Sequence, residues 1–207
     1  MKKTFLKSIL ILAALAAATG AGFAQAAQET PESVAKAYFA AMQAVDWAKC
    51  ASLMHPDALA SMKRTFATVI SADKTGDAGK TIFKLKSAAE YSQLSEAAVF
   101  ERLMDFITSV APDMKTALAS STNTILGRVD ESPDLAHIVF RSRTKVASEE
   151  VNEVDLISFK KQDSTWRALL TSDMEDMLNR FAEEMTPPSK EDEKGAPGGA
   201  GRPPRKP

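Results

Sequence analysis

Between Thr30 and Val110 the apolar residues recur at steps of three and four, and after Ser120 they alternate every second residue. The first spacing predicts helices and the second predicts strands. Thr30-Pro31-Glu32 opens the first helix with a capping hydroxyl, a proline at the first helical position and an acid where the helix dipole favours one. Val34, Tyr38, Ala41, Met42 and Val45 then make one apolar face. Asp46 is placed to cap a second helix, Trp47 to Met54, with Val45 and Cys50 at staple positions. His55-Pro56-Asp57 interrupts, with His55 as a turn or cap residue. A third helix follows, with Leu59, Met62, Phe66, Val69 and Ile70 on one side and Lys63 and Arg64 on the other. Ser71 to Lys80 is polar and contains Gly76 and Gly79, which predicts a loop. Thr81 to Leu85 fits either a short strand or the start of another helix. Ser95 caps a helix that carries Phe100, Leu103, Met104, Ile107 and Val110 and stops at Pro112.

The alternating part holds four runs separated by turn residues: Thr122 to Val129, Leu135 to Val146, Val151 to Phe159 and Thr165 to Thr171. Ser132-Pro133-Asp134 and Gln162-Asp163-Ser164 supply two of the turns. Consecutive strands with short connections predict an antiparallel meander. Gly127, alone in the first strand, marks a bulge or bend. A last amphipathic helix, with Met174, Met177, Leu178, Phe181 and Met185, is expected from a cap at Asp173. Helices followed by sheet make an α+β domain, with N-terminal helices packed on one face of a curved antiparallel meander and a C-terminal helix after it.

The two ends differ from this middle. Lys2, Lys3 and Lys7 precede an apolar run centred on Ile9 to Leu15, and Ala24-Gln25-Ala26 follows a glycine-containing break. This is the three-region pattern of a cleavable export signal, cut between Ala26 and Ala27. The apolar run is about ten residues, short of the roughly 20 needed to span a bilayer. No cysteine precedes Cys50, so no lipid anchor is expected, and the cleaved chain is expected in the periplasm or outside the cell. Thr186 to Pro207 is rich in proline and glycine and carries too little apolar surface to offset its ordering entropy, so a disordered tail is expected. The domain between, Ala27 to Met185, has the length of one core.

Composition narrows the partners. Of 26 cations and 27 acids, three lysines leave with the signal, and 23 against 27 gives a formal charge of −4. Nothing there points to nucleic acid. With one cysteine no intramolecular disulfide forms, and Cys50, in an apolar stretch, reads as a buried small hydrophobe. The two histidines, His55 and His137, have no metal-ligand spacing, so no metal or other cofactor is expected. His137 alternates with Ile138 on a strand, where it either packs or lines a cavity as a general base. Glu153 and Asp155 are two apart and share a strand face with Val151, Ile157 and Phe159. On a concave face they make a carboxylate pair in a partly apolar pocket. On the outer face they are solvated charges opposite Arg141 or Arg143, and this second placement is the expectation adopted. The nine methionines floor a cavity or fill gaps in the core.

The run Tyr38-Phe39-Ala40-Ala41-Met42-Gln43-Ala44-Val45-Asp46-Trp47, followed by Ala51-Ser52-Leu53-Met54-His55-Pro56-Asp57-Ala58, resembles the opening of the nuclear transport factor 2-like superfamily. That superfamily is a cone-shaped α+β fold that includes ketosteroid isomerase. The late strands are similar as well, so the resemblance covers about the first and last thirds of the domain. It implies a hollow between sheet and helices. Tyr38 falls where the isomerase has an oxyanion-binding tyrosine. The isomerase's carboxylate base would fall at Met62, which cannot take a proton, so its chemistry does not carry over. Tyr38 is then a pocket wall or a packed core residue. Three functions stay open: a non-enzymatic exported domain that binds a small apolar or amphipathic ligand or a protein partner, with Tyr38, Met42, Met62, His137 and Asp155 as pocket candidates; a small hydrolase or isomerase using Tyr38 with His137 or Asp155; and an envelope-assembly protein that dimerises through the outer face of the sheet.

Overall fold

In the computed structural model, which describes residues 29–146 and 149–185, the first helices start where a side chain accepts an N–H that the helix leaves unpaired. The expected signal peptide, its cut at Ala26 and Ala27, and the expected tail from Thr186 to Pro207 lie outside the described residues. Helix α1 (Pro31–Gln43) opens with a capping box, in which the Thr30 hydroxyl accepts from the Ser33 N–H at 3.2 Å and Ser33 Oγ accepts from the Thr30 N–H at 3.0 Å. Asp46 accepts from the Lys49 N–H at 2.9 Å to start α2 (Trp47–Leu53). His55 Nδ1 accepts from the Asp57 N–H at 3.2 Å to start α3 (Pro56–Ala72), which makes it the cap expected from sequence.

The corner between α1 and α2 is tight. The Asp46 N–H reaches the Ala41 carbonyl at 2.9 Å and the Val45 N–H reaches that of Met42 at 3.0 Å, a Schellman closure. Val45 takes its left-handed position, φ 57°, where glycine is usual. Its side chain packs against the core, which offsets part of that strain.

The loop expected over Ser71 to Lys80 is a correction. α3 continues to Ala72, and α4 (Asp77–Phe83) follows after only four residues. One Asp73 oxygen accepts from the N–H groups of Thr75 and Gly76, and the other accepts from that of Ala78 at 2.7 Å, so a carboxylate outside the helix organises its first turn. Ala78, Ile82 and Phe83 are buried, and their packing outweighs the low helix propensity of Gly79. Thr81 to Leu85 therefore resolves as helix through Phe83. A 3₁₀ turn, Ala88–Gln93, leads to α5 (Glu96–Val110), capped by Ser95, which accepts from the Ala98 N–H at 3.1 Å. Pro112 ends α5 but also opens α6 (Pro112–Ser120), because proline suits a first helical position.

Four strands follow, β1 (Thr122–Ser132), β2 (Leu135–Val146), β3 (Glu149–Gln162) and β4 (Thr165–Ala168), paired antiparallel in sequence order. The domain is α+β and the sheet is the expected meander. The register of β1 shifts between Ile125 and Gly127, so the irregularity expected at Gly127 lies one residue earlier, at Leu126. The fourth strand is shorter than expected. Its free edge is closed by other parts of the chain: the Glu29 carboxylate accepts from the Trp166 N–H at 2.7 Å, and the His55 N–H donates to the Ala168 carbonyl at 2.8 Å. The last helix, α7 (Ser172–Met185), is capped by Thr171 rather than from Asp173: the Thr171 hydroxyl accepts from the Met174 N–H at 3.2 Å and its carbonyl accepts from that of Glu175.

Ala136, Ile138, Phe140, Ile157 and Phe159 point from the sheet into the core. α1 crosses this face against β2 and β4, and α6 lies over β2. α2, α3, α4 and α5 form a second layer around Phe66, Phe83 and Phe100, and α7 returns to pack on α3. Among the described residues no helix is long and apolar enough to cross a membrane.

Candidate functional site

The inner face of the sheet is longer than the helix that covers it. Beyond Phe140, β2 and β3 run on past α1, and α6 bridges the gap from the side, which leaves a partly open hollow of about 280 Å³. Its helical wall is apolar: Tyr38, Phe39 and Met42 come from α1, and Met114, Ala117 and Leu118 from α6. The sheet wall is mixed. Phe140 and Ile157 form its apolar floor, and Asn123, Ser142, Thr144, Glu153 and Asp155 continue it as polar groups. Met174, at the start of α7, closes one side.

Two contacts hold the walls together. The Phe39 and Phe140 rings pack with centroids 4.7 Å apart, joining α1 to β2. The Gln43 amide at the end of α1 donates to the carbonyl of Ser121, where α6 becomes β1. The rim is therefore tied on both flanks of α1.

The structure brings three of the sequence candidates together, Tyr38, Met42 and Asp155, and adds Glu153. Placing Glu153 and Asp155 on the inner face corrects the outer-face expectation. Their shared parity with Ile157 and Phe159 was right, and those two residues are buried under the helices. Opposite them across the ladder lie Ser142 and Phe140, not Arg141 or Arg143. Both carboxylates remain exposed at the mouth. Met62 is elsewhere, a buried core residue of α3. The methionines divide: Met42, Met114 and Met174 line the hollow, while Met54, Met62 and Met104 fill the core.

His137 lies on the opposite face of the sheet from Tyr38, since its neighbours Ala136 and Ile138 are the buried ones. Its Nδ1 is 2.9 Å from Ser158 Oγ and its Nε2 is 2.8 Å from Glu131 Oε2. A serine, a histidine and a glutamate in series resemble a nucleophile relay. Hydrolysis needs more than the relay, because a substrate has to be held and its oxyanion met by free donors. Ser158 and His137 face each other at the third pair of the β2–β3 ladder, near the turn between β1 and β2, and neither lines the hollow.

Burial raises the Tyr38 phenol far above its ordinary pKa, with Cys50 a smaller contributor, so its hydroxyl stays protonated at neutral pH. The Cys50 thiol, fully buried as expected, is pushed up to about 12, first by burial and then by the Asp46 carboxylate. It is not a nucleophile at neutral pH. No group of three or more His, Cys, Asp or Glu side chains able to hold a metal occurs among the described residues.

Sequence reasoning missed the contribution of α6, whose Met114 and Leu118 belong to a helix too weakly patterned to stand out. Asn123, Ser142 and Thr144 also went unnoticed, because polar residues on a strand carry no signal until the face they share is known. The hollow thus has one apolar wall, one hydrogen-bonding wall and, among the described residues, no lysine, arginine or histidine between them. No family model, no curated protein and no solved structure matches the chain.

Proposed function

We propose that this chain is an exported, non-enzymatic domain of the nuclear transport factor 2-like class that binds a small amphipathic molecule in the hollow between α1, α6 and the sheet. The observation that carries this reading is the division of the hollow, with Tyr38, Met42 and Leu118 on one side and Ser142, Glu153 and Asp155 on the other. A concave site with an apolar body and a few convergent polar groups is the usual form of a small-molecule site. At about 280 Å³ it falls just below the usual range, roughly 300–1,000 Å³, which suits a small molecule. The export pattern of Met1 to Ala26 supports the localisation in this reading, and the resemblance of the run from Tyr38 to Trp47 supports the class. The test is native mass spectrometry of the protein recovered from the exported fraction. A small-molecule mass that leaves on denaturation supports the reading, and a bare chain at every collision energy counts against it.

A second reading is favoured by a separate observation. On the outer face of the sheet Val129, Val154 and Leu156 are 56, 56 and 44 % exposed, and Leu156 pairs across the ladder with Val139. Such a strip is suited to self-association through the sheet. Light scattering tests it: a dimer that Val154→Lys converts to monomer supports this use of the face, and a monomer at all concentrations refutes it.

A further inference from the structure

The proposed ligand site is electrically one-sided. Glu153 and Asp155 stand about 7 Å apart along one strand face, the spacing of alternate strand residues. Neither carboxylate has an ion-pair partner among the described residues, and no cationic side chain lines the hollow with them. Asp155 Oδ1 accepts the N–H of Leu156 at 2.6 Å, which leaves Oδ2 unengaged. The side chains of Ser142 and Thr144, beside them on β2, have no hydrogen-bond partner within the described chain either. Two like charges placed together without a counter-charge leave a negative potential that low-dielectric walls concentrate. The walls here are Tyr38, Phe39, Met42 and Leu118.

We infer that the ligand of this hollow is an amphipathic organic cation, with a hydrocarbon or aromatic body against α1 and α6 and a protonated amine or guanidinium head at Glu153 and Asp155. This rests on the reading of the hollow as a ligand site and adds the ligand's class. Charge-assisted hydrogen bonds to the two carboxylates hold the head, with the Ser142 and Thr144 hydroxyls as further acceptors. A bare metal ion would leave the apolar wall unused. An anionic amphiphile of the same shape would bring a third negative charge to the mouth, where repulsion opposes it.

Isothermal titration of the purified protein with octylammonium, octanol and octanoate at low salt separates the body from the head. The expected result is octylammonium binding at least tenfold tighter than octanol, with octanoate weakest. Glu153→Gln combined with Asp155→Asn should bring octylammonium down to the octanol level. Both side chains are exposed, and the asparagine keeps the oxygen that accepts from Leu156, so the fold should survive. The unsubstituted protein supplies a second measurement, in which added salt weakens octylammonium binding and leaves octanol unchanged. Equal binding of all three probes overturns the cation inference and leaves the hollow reading standing. Binding of none overturns both. Octylammonium affinity that persists when Met42→Trp fills the hollow also overturns the inference, because the cation is then held on the open sheet.

Discussion

Asp155 on β3 sits directly across the ladder from Phe140 on β2, so one register position on the hollow's sheet wall pairs a carboxylate with an aromatic ring. The two have separate jobs. Phe140 is buried and packs on Phe39 at 4.7 Å, whereas Asp155 is exposed and has no ion-pair partner among the described residues. Phe140→Ala should therefore cost about 3–5 kcal/mol, the usual loss for a core phenylalanine. Asp155→Asn should stay within about 0.5 kcal/mol. Urea unfolding of both variants checks this. A large loss in Asp155→Asn would mean that the carboxylate supports the fold and is not free for a ligand.

The end of α4 offers a cleaner test of backbone strain than Val45. Lys84 is exposed and left-handed at φ 55°, and the next N–H, that of Leu85, closes on the Gly79 carbonyl at 3.0 Å. Glycine adopts this conformation without steric cost. Lys84→Gly should raise stability by about 0.5–1 kcal/mol, read as a higher urea midpoint at unchanged slope. A lower midpoint would show that the Lys84 ammonium, which donates to the Thr81 carbonyl at 3.0 Å, matters more than the strain.

Asp73 gives the fold a local acid sensitivity. Its carboxyl is held below the usual carboxylate range, first by the Thr75 hydroxyl, with desolvation next and opposing it, and then by the N–H groups of Ala78, Gly76 and Thr75. A group whose folded pKa lies below its unfolded value of about 3.9 stabilises the fold fully above that value. That contribution is lost as the pH falls through the lower folded value. Wild-type stability should therefore fall with pH below about 4 more steeply than that of Asp73→Asn. Parallel acid limbs for the two proteins would show that Asp73 does not organise α4.

The relay of Ser158, His137 and Glu131 should not act as a hydrolase centre, because it lies on the outer face of the sheet, away from the hollow. A fluorophosphonate probe is expected to leave Ser158 unlabelled after prolonged incubation at pH 8. Labelling that disappears in His137→Ala would establish an enzyme on the outer face and displace the reading of the chain as a non-enzymatic binding domain.

Local chemistry was the legible part of the chain. Thr30, Asp46, His55 and Ser95 all cap helices as their positions suggested, since a cap depends only on residues within a turn of it. The four strands and their order followed from alternation and short turns. α4 was hidden because Gly79 argues against a helix and the packing of Ile82 and Phe83 argues for one, and packing cannot be read locally. The hollow was hidden for a related reason. β3 carries apolar side chains on both parities, Val154 and Leu156 on one and Ile157 and Phe159 on the other, so alternation could group Glu153 with Asp155 without telling which face was covered. The covering helix α6 buries no residue fully and left only a faint pattern.

The most direct test of the central claim uses the methionines as reporters. With methyl-labelled methionine, titration with octylammonium or octanol should move the NMR signals of Met42, Met114 and Met174, which line the hollow, and leave the core methyls of Met54, Met62 and Met104 in place. Shifts confined to those three would locate the ligand between α1, α6 and the sheet. If no methyl moves at saturating probe, or if only Met177, which does not line the hollow, responds, the hollow is not the binding site.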